Sequence, residues 1–375
     1  MRSWLAKPST RFLVLFLLLL LLRVPFYLTH HVQEDAYISL RCAENLAQTG
    51  VYGFNAGERV SASTAHLYVF VAALVRLVVG HAAYIPSVLV LNTVLFLAGT
   101  WFLARVMVKD EKKVLLLWGL TALLPISLLI SYSGMETSLL VFFIGLILYT
   151  LSTGRHSWLV LLGLALLPWV RPDAVAYGLL ILLCYSIKNW KIAWRGFLAL
   201  ILGSATMLLF NQLYFGSWLQ QSINAKLLMR HTFTFSGFLQ NLGTIFIGTS
   251  DGGFLSPIRT KYLGSLGMVF LLLILAAMVV YFRRSRGKSL QRWAEFAVAS
   301  MALLVPVAYA FGGVLYQWYF WPCAMLGYFF VADLLVEWMT GDRVASHVLS
   351  WGVALVIFAG VTLQLAYSYA WGVKE

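Results

Sequence analysis

Charge is the scarcest property of this sequence. Only 11% of its 375 residues are charged, and just 14 are Asp or Glu. A soluble chain of this length needs far more charge to cover its surface, so a soluble globular protein is excluded. Cysteine is scarce as well. Cys42, Cys184 and Cys323 share no metal-ligand spacing and no evident pairing, and Cys184 and Cys323 fall in apolar runs as small buried residues. Internal repeats, low-complexity linkers and a separate soluble domain are all missing. The apolar runs do not alternate with polar residues, which excludes a closed β-barrel. What remains is an all-α, polytopic membrane protein, 61% hydrophobic with mean hydropathy +0.84. The formal charge of +13 does not point to nucleic acid. The basic residues flank apolar runs, where they set orientation and meet anionic lipid heads of the bilayer.

Taken in order, Arg2, Lys7 and Arg11 precede an apolar run, Phe12–His30, that reads as a first span leaving the N-terminus in the cytoplasm. Leu67–Val79 is interrupted by Arg76 and is short against the ~20 residues needed to cross, so it reads as interfacial or re-entrant. Further spans are expected at Ile85–Val108, Val114–Tyr132, Leu139–Leu151, Gly196–Phe215, Leu263–Phe282, Phe296–Phe311, Pro322–Trp338 and Val348–Ala370. Trp158–Val170 and Ala174–Ile187 form a hairpin of short helices with Arg171-Pro172-Asp173 at its tip. The total is about eleven spans in one domain over 1–375, with a motif-bearing module over 1–230 and variable helices over 231–375. A crossing at Leu67–Val79 would force the basic cluster Arg283–Arg292 outside, so the positive-inside rule favours the re-entrant reading.

With that parity, the polar loop Gln33–Ala65 lies outside. It holds Glu34, Asp35, Glu44 and Glu58 of the few acids, together with Arg41 and Arg59. Glu136, Asp173, Asp251, Arg171, Lys226 and Arg230 fall on the same side. Ionisable groups at membrane depth are costly and mark function. Their gathering at one face suits an interfacial active site. A lipid-linked-sugar flippase or solute transporter, the alternative reading, would place them nearer the midplane.

Five segments occur in a telling order: Glu34-Asp35-Ala36-Tyr37-Ile38, Tyr52–Val60 (YGFNAGERV), Ser133–Thr137 (SGMET), Arg171-Pro172-Asp173, and Tyr214-Phe215-Gly216 followed by Ala225-Lys226. This set resembles the GT-C superfamily of polyprenyl-phosphate-sugar-dependent glycosyltransferases, and is most similar to its AftB-like arabinofuranosyltransferase branch. The chain departs from that branch at Ser61-Ala62, where the family continues Glu-Gly, and at Gln220-Gln221, where it has Pro-Asn. The resemblance implies an inverting transfer of a sugar from a polyprenyl-phosphate donor to an extracytoplasmic glycan or lipid acceptor. It implies a multi-pass protein of the bacterial inner membrane with its active site facing outward.

Such a transfer needs a base for the acceptor proton and cations for the departing phosphate. Asp35, at the start of a helix expected to run through Leu46, is the candidate base, with Glu34 beside it. An acid there also suits a helix N-terminus. Arg171 and Lys226 are candidates for the phosphate. Glu136, Asp173, Arg59 and Tyr37 complete the candidate substrate-binding set, and Glu58 with Arg59 braces the loop. Asp35 and Glu136, with Asp173, are the carboxylates available to a divalent cation, Mg²⁺ or Mn²⁺, although no spacing requires them to converge. His66 reads as an interfacial polar residue, and Gln317-Trp318-Tyr319 as part of an aromatic belt.

Overall fold

The computed structural model describes residues 8–28, 32–154, 157–221, 223, 234–247, 263–285, 291–312, 316–341 and 352. Among the described residues every regular element is a helix. In chain order they are α1 (Pro8–Leu21), α2 (Val24–Leu28), α3 (Ala36–Thr49), α4 (His66–Val79), α5 (Tyr84–Met107), α6 (Glu111–Leu123), α7 (Pro125–Tyr132) and α8 (Thr137–Thr153). They continue as α9 (Ser157–Val170), α10 (Ala174–Ser186), α11 (Trp190–Phe215), α12 (Phe235–Ile247), α13 (Leu263–Arg284), α14 (Arg292–Gly312) and α15 (Gln317–Met339). Five of these, α5, α11, α13, α14 and α15, are long and apolar enough to cross a membrane, and α6 with α7 make a sixth if the bent pair is one span. Five others are apolar but shorter. The last expected span, Val348–Ala370, lies outside the described residues.

Two expected spans are not continuous helices. Phe12–His30 breaks after Leu21. There the buried Arg23 guanidinium turns back to donate to the carbonyls of Leu19 (2.6 Å) and Ala122 (2.7 Å), groups near helix C-termini. Val114–Tyr132 bends by 72° between α6 and α7. Leu124 is extended (ψ 139°) ahead of Pro125, as the steric demand of proline on its predecessor requires. The short hairpin fell close to expectation, with α9 ending at Val170 and α10 beginning at Ala174.

The chain packs as two compact units, each discontinuous in sequence. One comprises residues 1–29, 100–130 and 232–375. In it Lys113 of α6 meets Glu337 of α15 at 2.7 Å, and Arg284 of α13 pairs with Asp333 of α15. The start of α6 therefore meets the ends of α13 and α15. Trp318 and Trp321 are buried in this unit, so the expected belt at the start of α15 is in good part core.

The other unit comprises residues 30–99 and 131–231 and carries all the motifs. Here α5 and α8 touch backbone to backbone: a Cβ on Gly145 would stand 2.2 Å from the Gly99 carbonyl oxygen, and one on Gly99 would stand 2.6 Å from that of Val141. Small residues permit such close approach in apolar surroundings, where dispersion and shape drive helix association. α3 and α4 lie side by side, tied by Ser39–Ser63 (2.8 Å) just ahead of α4 and by Glu44–Arg76 (3.5 Å) near its end. Leu74, Leu77 and Val78 leave an exposed apolar face on α4.

Candidate active site

Three acids share an unusual placement. Asp35, Glu136 and Asp173 each occupy the position preceding a helix, α3, α8 and α10 respectively. None makes a side-chain capping bond. The reason is in the backbone. All three have helical dihedrals (−64°, −20°; −66°, −5°; −70°, −15°) rather than the extended geometry a capping side chain needs. Their carboxylates are directed elsewhere.

Where they are directed is set by the loops between the motifs. The Gln33 amide donates to the Ser133 carbonyl at 2.9 Å, laying the start of the Asp35 segment against the SGMET turn. Gly134 has φ +73°, and a Cβ there would lie 2.6 Å from Val32 Cγ1 and 3.3 Å from Ala36 Cβ. Only glycine fits that contact in that conformation. Glu136 Oε1 then stands 3.7 Å from Arg171 Nε. The Arg171 fork is engaged by Asp173 at 3.0 Å through Nε and 2.6 Å through Nη2. Arg171 is wholly buried and Glu136 nearly so, whereas Asp173 is about a quarter exposed. Asp35 is half-buried and Glu34 and Tyr37 are exposed.

The second half of the external loop folds onto the end of α11. The Tyr52 amide donates to Tyr214 Oη at 2.8 Å, and the exposed Arg59 guanidinium lies 4.9 Å from the Tyr214 ring centre. Asn55 donates to Glu58 at 2.9 Å, so the expected bracing by Glu58 is within its own turn. His66 is not interfacial, as its sequence position had implied. It is fully buried, with Nδ1 at 2.9 Å from Tyr52 Oη, and Nε2 at 2.7 Å from Asn211 Oδ1 and 3.1 Å from the Gln220 amide. Burial pushes the His66 pKa down to about 4 and the Tyr52 hydroxyl well up, so a neutral imidazole meets a protonated phenol. Tyr52 therefore donates to Nδ1, and Nε2–H donates to Asn211. Ser63, in the same loop, meets Ser39 one helical turn after Asp35. A buried group of polar side chains thus ties Tyr52 of the external loop through His66 to Asn211 and Gln220.

The sequence reading missed Asn211, Tyr68 and Asn92, and set His66 at the interface rather than in the core. Asn92 carried a usable signal, a carboxamide in the middle of the apolar run of α5. Lys226, Arg230 and Asp251 lie outside the described residues. A divalent cation fits these acids poorly. Glu136 and Asp173 already converge on a guanidinium, and among the described residues no group of three or more His, Cys, Asp or Glu side chains is placed to hold a metal.

No family model matches the chain, and no curated protein sequence does. Among solved structures it is similar to the crystal structure of ArnT from Cupriavidus metallidurans in the apo state, with 14% identity, a TM-score of 0.54, and coverage of 97% of this chain and 76% of that one. The likeness shows a shared helical fold.

Proposed function

We propose that this protein transfers a sugar, with inversion, from a polyprenyl-phosphate donor to an extracytoplasmic glycan or lipid acceptor, and that Asp35 is the base. The observation that carries the reading is the meeting of three motifs distant in sequence. The Gln33–Ala36 segment, the Ser133–Glu136 turn and Arg171-Pro172-Asp173 assemble in one unit, with the half-buried Asp35 at its partly open edge. The GT-C fold supports the same reaction class.

The chemistry assigns the roles. Asp35 accepts the proton of the acceptor hydroxyl as its oxygen attacks the anomeric carbon, and the carbon–oxygen bond to the polyprenyl phosphate breaks. A single displacement inverts the centre. A donor phosphate reaches Arg171 only by displacing Asp173, so Arg171 is assigned to holding Glu136 and Asp173. The leaving phosphate falls to Lys226 and Arg59, with Tyr37 on the open side toward substrate. The reading places the site at the outer face of a bacterial inner membrane. The contacts of α3 with the start and the last turn of α4 favour the re-entrant reading of 67–79 on which that face depends.

The test is transfer in proteoliposomes supplied with a panel of polyprenyl-phosphate sugars, arabinofuranose included, and product detection by mass spectrometry. Asp35→Asn is expected to lose at least about a hundredfold in rate while its melting temperature in detergent is kept. Wild-type turnover by Asp35→Asn would falsify the assignment of the base. Donor movement across the membrane without product would instead favour a flippase.

A further inference from the structure

We infer that Tyr68 and Asn92 are positioning residues for Glu136, acting through the backbone of the 133–135 turn; the inference rests on the glycosyl-transfer reading only where its test measures turnover. Three successive carbonyls of this turn are held by donors from three different elements. The Ser133 carbonyl accepts from the Gln33 amide at 2.9 Å. The Gly134 carbonyl accepts from Tyr68 Oη at 2.5 Å. The Met135 carbonyl accepts from Asn92 Nδ2 at 3.2 Å. Asn92 Nδ2 also donates to Tyr68 Oη at 3.0 Å, so the two side chains form one unit with the turn. Just upstream, Thr93 donates to the Ser131 carbonyl at 3.3 Å.

The arrangement carries a cost that packing alone does not explain. Asn92 is fully buried in the middle of an apolar helix, and its Oδ1 has no hydrogen-bond partner. A buried acceptor left without a partner is unfavourable. Turning the amide over would satisfy nothing, because the oxygen would then face the Met135 carbonyl. The orientation is therefore dictated by the turn. The turn in turn carries no side chain at Gly134, since a Cβ would strike Val32 on the Asp35 segment. Glu136 is the next residue after these carbonyls. Its backbone is fixed by Tyr68 and Asn92 from one side, and its carboxylate by Arg171 at 3.7 Å from the other. Tyr68 touches neither Arg171 nor Asp173 in any hydrogen bond of this site, so its effect passes through Glu136.

The experiment is a double-mutant cycle of Tyr68→Phe and Glu136→Asp, measured in purified protein by steady-state transfer and by melting in detergent. Tyr68→Phe removes one oxygen and both of its bonds at constant shape. It is expected to lower kcat by roughly ten- to a hundredfold with donor KM changed less than about threefold, and this loss is expected to shrink to within about threefold when Glu136 is already Asp. Asn92→Leu is expected to behave like Tyr68→Phe. Product is followed over hours so that large losses remain measurable. Losses that multiply fully in the double variant, or a Tyr68→Phe enzyme with wild-type kcat, overturn the inference. Should the wild type turn over no donor on the panel, the transfer reading fails, and the melting cycle alone decides. Non-additive melting shifts then uphold the positioning, and additive shifts overturn it.

Discussion

The Glu136 carboxylate faces the Arg171 guanidinium at 3.7 Å, inside a unit where Arg171 is fully buried and Asp173 fills the arginine fork. Two acids around one buried cation make the cluster intolerant of losing that cation, because a carboxylate is then left buried without its partner.

Arg171→Met is therefore expected to destabilise the protein by about 3–5 kcal/mol. Arg171→Lys recovers little of this, since an ammonium cannot span the two positions Asp173 occupies. Melting of the purified variants in detergent measures both. A melting temperature within error of wild type for Arg171→Met would show that the cluster contributes nothing to the fold.

Glu34 and Asp35 are adjacent but differently set. Glu34 is exposed, whereas Asp35 is half-buried at the head of α3. Glu34→Gln is expected to keep transfer within about threefold of wild type, against a loss of about a hundredfold or more for Asp35→Asn. Equal losses in the two variants would mean that the loop contributes its total charge and not a particular base.

The His66 network gives a pH dependence of definite sign. The folded-state pKa, about 4, lies below the ordinary value of 6.5 because burial penalises the cation. The stability this confers is fully present above pH 6.5 and is lost as the pH falls toward 4, by an amount on the order of 3 kcal/mol. His66→Gln keeps hydrogen-bonding capacity but does not titrate, so its melting temperature is expected to fall less steeply over that range. Parallel curves for the two proteins would remove His66 as the titrating group.

Glu136 and Asp173 are already committed to Arg171, so transfer is expected to proceed at an unchanged rate after dialysis against EDTA. Loss of activity that Mg²⁺ or Mn²⁺ restores would place a cation on Asp35 by a geometry this structure does not hold.

How far these features can be read from the sequence differs from place to place, and the difference is physical. The ends of α9 and α10 follow from local chemistry, because Pro172 and the polar tip interrupt two apolar runs. The start of α3 at Ala36 follows from the polar signal after the first apolar run, although the helix runs on to Thr49 before Gly50 stops it in the left-handed region. The bend at Leu124 also had a local signal in Pro125, but a single proline in so apolar a run does not announce a turn of 72°. The long-range partners are another matter. His66 is buried because Tyr52, Asn211 and Gln220 surround it, and nothing near His66 in the chain encodes the last two. Arg171 looked like a phosphate ligand because its nearest acids were read one at a time. Only the fold brings Glu136 to its other side.

One contact described above reaches further than its size suggests. Glu44 on α3 meets Arg76 at 3.5 Å and His81 at 2.8 Å, both at the far end of α4. To push α4 through the bilayer would tear these side chains from their partner or drag a polar helix into hydrocarbon. Every later helix takes its direction of travel from whether that happens. A carboxylate on α3 thereby bears on the insertion of the rest of the chain, and reversing its charge is expected to be felt as a change of heading in helices it never touches.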